Sequence, residues 1–191
     1  MNSSENTLWY SFLSGDKNAF SAIFKMNYSE LYNYGLKFSK CPSLTKDCLQ
    51  DFFIYLYTHR DSINEVKSIK SYLFISFRRA LLKKLKEERR FTDTDVESVY
   101  VSNFEFSPEE IAIRQEISNI KSDTLTTILN NLPPREREAI YLKYYSELKV
   151  SEISSIMNIS YQSVLNTIQK AFKKIRNATE NEMISNILKK N

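Results

Sequence analysis

The sequence predicts an all-α protein made of two small helical domains joined by an acidic linker. The 191 residues include only 2 glycines, whereas doubly wound nucleotide-binding folds and β-sandwiches need many glycine-rich turns. Apolar residues recur at helical spacing through most of the chain. Lysines and arginines fall into two blocks separated by an acidic segment, and this length suffices for two small domains.

The charge distribution indicates two nucleic-acid-facing modules. Residues 1–90 hold 15 Lys/Arg and 9 Asp/Glu, a net of +6, and residues 91–124 hold 2 and 8, a net of −6. Residues 125–191 hold 10 and 6, a net of +4. Both basic blocks would be attracted to the DNA phosphates, and the acidic connector between them would be repelled by those phosphates. Chance segregation of solvated charge is the alternative, and composition alone does not decide between the two.

Several classes of site are disfavoured by composition. Cys41 and Cys48 lie too far apart for a CxxC motif, and His59 is the only histidine, so we expect no metal site and no cofactor. Two free thiols suit a reducing cytosol, so we expect a cytoplasmic protein. We see no signal peptide and no stretch long enough to insert in a membrane.

The first domain is predicted over residues 1–90 and begins with two helices. Asp16 can cap the first helix, which Pro42 ends; its apolar residues are Phe20, Ile23, Phe24, Leu31 and Leu36. The second helix runs from about Leu44 to Thr58. Its buried face is formed at i, i+3, i+4 and i+7 by Leu49, Phe52, Phe53 and Leu56. Asp47, Gln50 and Asp51 then point away from that face.

A polar loop and a basic helix complete the first domain. Residues 59–70 are predicted to form the loop, and the helix runs from Ser71 to about Arg90, with a core stripe of Leu73, Phe77, Ala80 and Leu81. Another face carries cations at i, i+4, i+7 and i+11 with no acid among them, and Tyr72 lies on the same side: Arg79, Lys83, Lys86 and Arg90. This alignment favours a nucleic-acid face over an ordinary solvated one.

The middle of the chain predicts a linker followed by a clear helix start. Residues 91–106 are acidic, lack helical periodicity and are predicted to be flexible in isolation; with the start of the connecting helix, the linker covers 91–120. Ser107-Pro108-Glu109-Glu110 is typical of a capped helix start. The helix continues through Ile111, Ile117, Ile120 and Leu125 to Leu129, and Leu132-Pro133-Pro134 breaks it before the next helix.

The second domain, residues 121–191, contains a predicted helix-turn-helix over residues 150–176. A short helix bears Ile153 and Ile156, Asn158 takes the left-handed position of the turn, and Ser160 caps a longer helix. The buried stripe of that helix is predicted to be Val164, Ile168, Ala171, Phe172 and Ile175. Its opposite side displays amides and hydroxyls, then lysines, as a recognition helix does: Gln162, Ser163, Asn166, Thr167, Lys170, Lys173 and Lys174.

Residues 132–176 resemble the C-terminal promoter-binding domain, region 4, of the bacterial sigma-70 family. The residues that carry this resemblance are Leu132-Pro133, Arg137, Tyr144, Glu152-Ile153, Ile159-Ser160, Val164, Ala171 and Arg176. Independently, residues 47–53 (DCLQDFF), and Tyr72-Leu73 with Arg78, resemble two helices of the family's N-terminal domain, region 2. The short acidic linker resembles the extracytoplasmic-function (ECF) class. The two matches together span residues from roughly Leu8 to Arg176.

The resemblance implies a sigma factor that binds core RNA polymerase and directs promoter-specific initiation, without catalysis of its own. It implies docking on the polymerase β′ clamp through Asp47, Gln50 and Asp51, and a contact with the β flap. It implies recognition and melting of the minus-ten element by Arg60, Asn64, Lys67, Lys70, Tyr72, Arg78, Arg79, Lys83 and Lys86. The minus-thirty-five element would be contacted by Gln162, Ser163, Asn166, Thr167, Lys170 and Lys173. An anti-sigma factor is a further implied partner.

The chain also departs from the family pattern. Arg78-Arg79 replaces the common Arg-Asn, and Lys83 stands where Asp is usual. Leu165 and Thr167 occupy recognition-helix positions often held by Lys or Arg. The promoter sequence therefore cannot be transferred from relatives.

Three other readings remain open from the sequence. A helix-turn-helix regulator that binds duplex DNA alone explains residues 132–176 but not the Asp-Gln-Asp helix or the basic helix. An enzyme acting on nucleic acid would need a metal cluster, an activated nucleophile or a phosphate-binding loop. A family member that has lost promoter activity and serves as an interaction protein would fit the departures in the basic helix.

Overall fold

A computed structural model of the chain describes residues 3–88, 104–114 and 122–188. For residues 3–5, 112–114, 122 and 181–188 it describes the backbone alone. The described residues are helical or in turns, with no strand among them, so the all-α prediction is confirmed. The chain divides into two compact units, Met1–Tyr100 and Val101–Asn191.

Within residues 3–88, four α-helices and a short 3-10 turn build the first unit. They are α1 (Ser3–Leu13), α2 (Lys17–Ser39), α3 (Pro42–Thr58), the turn Arg60–Ser62, and α4 (Ile69–Glu88). Helix α2 packs against α1, α3 and α4, and α3 packs on α4. The predicted helices are therefore present, with α3 and α4 each beginning two residues earlier than expected.

Local side-chain chemistry sets the ends of α2. The Asp16 carboxylate accepts a hydrogen bond of 2.8 Å from the Asn18 amide, as predicted for an N-cap. Near the other end, Gly35 allows a close approach, because a Cβ built there would lie 2.9 Å from the Phe77 ring and 3.0 Å from Thr45 Cγ2. The helix ends at Ser39, and the next residue, Lys40, has a φ of 53° that places it in the left-handed region.

Helix α1 was not predicted from the sequence. Its Trp9 and Phe12 are 2% and 0% exposed, and the Trp9 ring lies 5.1 Å from Phe12 and 5.4 Å from Tyr72 of α4. The contact with Tyr72 joins α1 to a residue distant in sequence, and 11 residues in isolation would form a marginal helix. Tertiary burial accounts for its formation.

In the second unit, two helices pack against each other where a single helix was predicted from Ser107 to Leu129, and the later helices come in the predicted order. The described helices of this unit follow in chain order. They are α5 (Pro108–Arg114), α6 (Ser122–Asn130), α7 (Pro134–Ile140), a π-helical turn Tyr141–Tyr145, α8 (Val150–Met157) and α9 (Tyr161–Leu188). The predicted capping box at the start of α5 is confirmed: Ser107 N donates to Glu110 Oε2 at 3.0 Å, and Glu110 N donates to Ser107 Oγ at 3.3 Å. Ile117 and Ile120 lie outside the described residues.

The end of the predicted linker is packed against the second unit. Phe104 and Phe106 are 0% and 4% exposed, with ring centroids 5.4 Å and 6.1 Å from Tyr141. The side chain of Asn130 accepts from Phe106 N at 2.8 Å and donates to Phe106 O at 3.0 Å. The prediction of a flexible linker is therefore wrong for residues 104–106, because buried aromatic area and two hydrogen bonds order them. Residues 91–103 lie outside the described residues.

Candidate nucleic-acid interfaces

The second unit contains the predicted helix-turn-helix, formed by α8 and α9. Asn158 ends α8 with φ 53° and ψ 47° in the left-handed region, as predicted. Ser160 Oγ then accepts a hydrogen bond of 3.1 Å from Ser163 N, which confirms it as the cap of α9. Val164, Ile168 and Ala171 are at most 8% exposed and pack α9 against the core of the second unit.

The opposite face of α9 is presented to solvent. Gln162, Ser163, Asn166, Lys170 and Lys173 are exposed, and Thr167 is half-buried. Gln162 Nε2 donates to Asn166 Oδ1 at 3.0 Å, and Thr167 Oγ1 donates back to the Ser163 carbonyl at 2.7 Å. The two amides are thus aligned one helical turn apart, with donors and acceptors of the kind that read base edges in a major groove.

Two sequence expectations on α9 are corrected. Phe172 was placed in the buried stripe but is 44% exposed, and it meets the edge of Tyr144 at 5.4 Å. It lies about 60° around the helix from the centre of that stripe, so the core does not enclose it. Lys174 was placed among the lysines displayed on the outer side of the helix, but its Nζ lies 2.7 Å from Glu136 Oε1, a carboxylate whose side chain is 10% exposed.

Helix α3 of the first unit presents the predicted acidic and amide face. Asp47, Gln50 and Asp51 are all exposed, while Leu49, Phe52 and Phe53 on the other side are at most 6% exposed. One contact was not foreseen: Lys84 Nζ of α4 lies 2.8 Å from Asp51 Oδ2. That hydrogen bond raises the pKa of the Lys84 ammonium group.

The loop between α3 and α4 is held by α1. Trp9 Nε1 donates to the Asn64 carbonyl at 3.3 Å, and the Tyr10 hydroxyl hydrogen-bonds to the Glu65 carboxylate. Arg60 points inward, donating to the Tyr57 carbonyl at 2.9 Å with its guanidinium 5.1 Å from the Tyr57 ring centroid. Asn64 and Lys67 are exposed. Sequence reasoning missed this role of α1, and no local pattern could have shown it.

The basic helix α4 exposes part of the predicted set. Arg79, Lys83 and Lys86 are exposed and Tyr72 is half-buried. Lys70 lies 2.8 Å from Glu30 of α2. The cationic face of α4 was predicted to contain no acid. An acid does approach it, since Lys83 Nζ lies 3.9 Å from Glu87 Oε1. Arg90 lies outside the described residues.

Arg78 does not belong to the exposed face of α4. It is 5% exposed, and its guanidinium lies 5.7 Å from the Phe38 ring centroid. Arg78 lies on the face of α4 that packs against α2, and the long apolar stem of its side chain favours this burial. Arg78 therefore does not share the solvent-facing surface of the other residues assigned to the minus-ten element.

The described residues hold no group of three or more His, Cys, Asp or Glu side chains that could bind a metal ion. None of the described helices is long and apolar enough to cross a membrane. The fold and the exposed faces define a class of protein, an all-helical nucleic-acid-binding protein with a helix-turn-helix in its second unit.

Comparison with known proteins defines the family. Sigma-70 region 2 matches residues 23–91, and sigma-70 region 4 matches residues 122–175. The chain is 30% identical over 166 residues to the ECF RNA polymerase sigma factor SigM of Bacillus subtilis, covering 84% of this chain and 96% of SigM. The chain belongs to the sigma-70 family, in its ECF group. It is a sigma factor that directs transcription initiation and is not an enzyme.

Solved structures share the fold. CnrH, solved in complex with the cytosolic domain of CnrY, aligns with a TM-score of 0.59 at 19% identity over 93% of this chain and 98% of that chain. The sigma factor RpoE, solved with the anti-sigma factor NepR from Bartonella quintana, aligns with a TM-score of 0.57 at 15% identity over 84% of this chain and 96% of that chain. The region 2 match excludes the alternative interpretation of a helix-turn-helix regulator whose N-terminal half is unrelated to sigma factors.

Proposed function

We propose that the two units divide the work of promoter recognition. Residues 1–90 would dock on core RNA polymerase and open the minus-ten element. Residues 121–191 would bind the minus-thirty-five element, and residues 91–120 would link these two parts of the chain. The observation that carries this proposal is the solvent-facing row of Gln162, Asn166 and Lys170 on α9, opposite a buried apolar stripe. Such a row supplies base-edge and phosphate contacts from one helix face.

Docking on the β′ clamp of the polymerase is assigned to Asp47, Gln50 and Asp51. These side chains form a polar surface on a helix whose other face is committed to the core, as suits the polar part of a protein interface. The Asp51–Lys84 ion pair does not block this role. Asp51 has 71% of its side chain exposed, and an ion pair of that exposure contributes about 0.2–1 kcal/mol. A cation of the polymerase could therefore take the place of Lys84.

The docking assignment is tested by charge reversal. The double variant Gln50→Lys/Asp51→Lys should lose binding to core polymerase while keeping its helical circular dichroism, because it places two cations on the docking surface. Glu88→Lys, a reversal of an exposed acid on α4, serves as the matched control and should bind normally. Unchanged polymerase affinity of the double variant would overturn the assignment.

Capture of the melted minus-ten strand is assigned to the loop and to α4. Asn64 and Lys67 expose polar groups on a loop that α1 holds in place, and Arg60 shapes that loop from inside. Lys70 and Tyr72 lie where the loop enters α4, and Arg79, Lys83 and Lys86 continue the surface along the helix. Single-stranded DNA binds such surfaces through phosphate neutralisation and base stacking.

Contact with the minus-thirty-five element is assigned to Gln162, Ser163, Asn166, Thr167, Lys170 and Lys173. The Gln162–Asn166 hydrogen bond would have to open when either amide binds a base. The variant Asn166→Ala/Lys170→Ala should weaken binding to promoters with that element by roughly 5- to 150-fold, since one good base contact is worth about 1–3 kcal/mol. Its affinity for core polymerase should not change. Filter binding on promoter fragments with and without the minus-thirty-five element shows whether the loss of DNA binding depends on that element.

The partners of the chain follow from this division. We propose that it binds core RNA polymerase through the β′ clamp and β flap, binds promoter DNA, acts in the cytoplasm, and is held by an anti-sigma factor, as RpoE is in its complex with NepR. The decisive experiment is run-off transcription: core polymerase with this chain, and without another sigma factor, should start at specific genomic promoters. Initiation that requires a second sigma factor would refute the proposal.

A further inference from the structure

Two exposed rings are stacked at the C-terminal end of α3. Tyr55 is 61% exposed, and its ring centroid lies 4.0 Å from that of His59, with an interplanar angle of 19°. His59 Nδ1 lies 3.0 Å from the Tyr55 carbonyl oxygen and 2.9 Å from Thr58 Oγ1. A single exposed aromatic ring needs no explanation, but a pair held in a fixed stack offers an oriented flat surface.

The Tyr55 ring borders a groove between α3 and α4. The groove encloses about 520 Å³, within the range of small-ligand sites. Tyr72 and Ser76 line it together with Tyr55, and Lys83 and Lys84 line it about two to three turns farther along α4. The Tyr72 phenol is in part withdrawn from solvent, and burial raises its pKa. The groove therefore combines aromatic surface and hydroxyl groups with two lysines and the carboxylates of Asp51 and Glu87.

The charges of the groove suit one base with its phosphate. Lys84 is paired with Asp51 at 2.8 Å, and Lys83 lies 3.9 Å from Glu87. The second contact is loose, and the Lys83 side chain is 79% exposed, so a phosphate can replace Glu87 at small cost. Arg79, one turn before Lys83, is also exposed. Helix α4 thus offers the cations Lys83 and Arg79, and the α3 side of the groove offers the neutral ring of Tyr55 for stacking.

We propose that Tyr55 and His59 form a stacking platform for a nucleobase of the DNA strand exposed on promoter opening, with Lys83 at the adjacent phosphate. This inference rests on the proposed role of α4 in strand capture. It adds to that surface Tyr55 of α3 and His59, the residue that follows the helix. Stacking on an aromatic face tolerates any base, so the platform would contribute to holding the open strand and not to promoter sequence choice.

The test uses holoenzyme assembled from the full chain and core polymerase, with core polymerase alone as background. The probes are fluorescein-labelled dT12 and a 12-residue strand of the same backbone whose central positions are abasic. Tyr55→Ala should weaken dT12 binding roughly 5- to 100-fold, as expected for the loss of one base stack. It should leave the abasic strand nearly unaffected, and Tyr55→Phe should restore dT12 binding. Ile54→Ala, which alters an exposed side chain on the same helix, should change neither.

The outcomes separate this inference from the proposed strand role of α4. Lys83→Ala should weaken both probes, because it removes a phosphate contact. If the wild-type holoenzyme binds neither strand above background, the role of α4 fails. If it binds both and Tyr55→Ala does not discriminate between them, the platform alone is wrong. A loss of core polymerase affinity in Tyr55→Ala would mean that the ring contacts protein instead of DNA, and would also overturn the platform.

Discussion

Asn130 fastens the segment that leads into the second unit, and Asn130→Ala should detach it. Its side chain makes hydrogen bonds of 2.8 Å and 3.0 Å to the Phe106 backbone. A typical hydrogen bond contributes about 0.5–1.5 kcal/mol net, so the substitution should lower the free energy of unfolding of this unit by about 1–3 kcal/mol. For a unit of this size with a total of roughly 5–14 kcal/mol, that loss is readily measurable.

The substitution should also be visible locally. The Phe106 amide, which loses its acceptor, should exchange with solvent deuterium faster than in the wild type. In thermal unfolding followed by circular dichroism, the transition of the second unit should fall by about 4–20 °C. Trp9 is the only tryptophan and lies in the first unit, so its fluorescence transition should stay in place.

A neighbouring asparagine supplies the control for this prediction. Asn131 is exposed, and Asn131→Ala should change the free energy of unfolding by at most about 0.5 kcal/mol. Equal effects of the two substitutions, or an unchanged exchange rate of the Phe106 amide in Asn130→Ala, would refute the reasoning. The segment would then be held by its buried rings alone.

Three further predictions concern packing, an ion pair and the thiols. Gly35→Ala should destabilise the first unit by about 1–3 kcal/mol in urea unfolding, despite the higher helix propensity of alanine, because its Cβ would press on an aromatic ring at 2.9 Å; an unchanged midpoint would contradict this. Lys174→Ala should lower stability by about 1 kcal/mol, since it leaves a poorly exposed carboxylate without its cation, whereas Lys173→Ala should lower only DNA affinity and its dependence on salt. Iodoacetamide at pH 8 should label Cys41 in the folded protein well before Cys48. Hydrogen bonds from Ser43 and the Leu44 backbone lower the pKa of the Cys41 thiol, while burial raises that of Cys48 to about 11 and keeps it protonated; equal labelling rates by mass spectrometry would contradict this.

The helices and their caps could be predicted from the sequence because they depend on neighbouring residues. Asp16, Ser107 and Ser160 cap helices through groups two or three positions away, and the apolar periodicity of α3 and α9 needs only one helix at a time. The left-handed turn at Asn158 is likewise a local preference of asparagine. The polar faces of α3 and α9 follow directly, since they lie opposite the apolar stripes.

The tertiary structure decided which polar side chains remain available on those faces. Arg78 lies inside and Arg79 outside, although the two are adjacent in a basic run. The ion pairs Asp51–Lys84 and Lys174–Glu136 join residues 33 and 38 positions apart, a separation at which helical periodicity carries no information. The burial of Phe104 and Phe106, the helix at the N-terminus and the groove beside Tyr55 likewise depend on contacts between distant segments. Local sequence therefore determined the elements and their faces, and packing between elements determined which charges and rings each face presents, because burial and ion pairing arise only where separate helices meet.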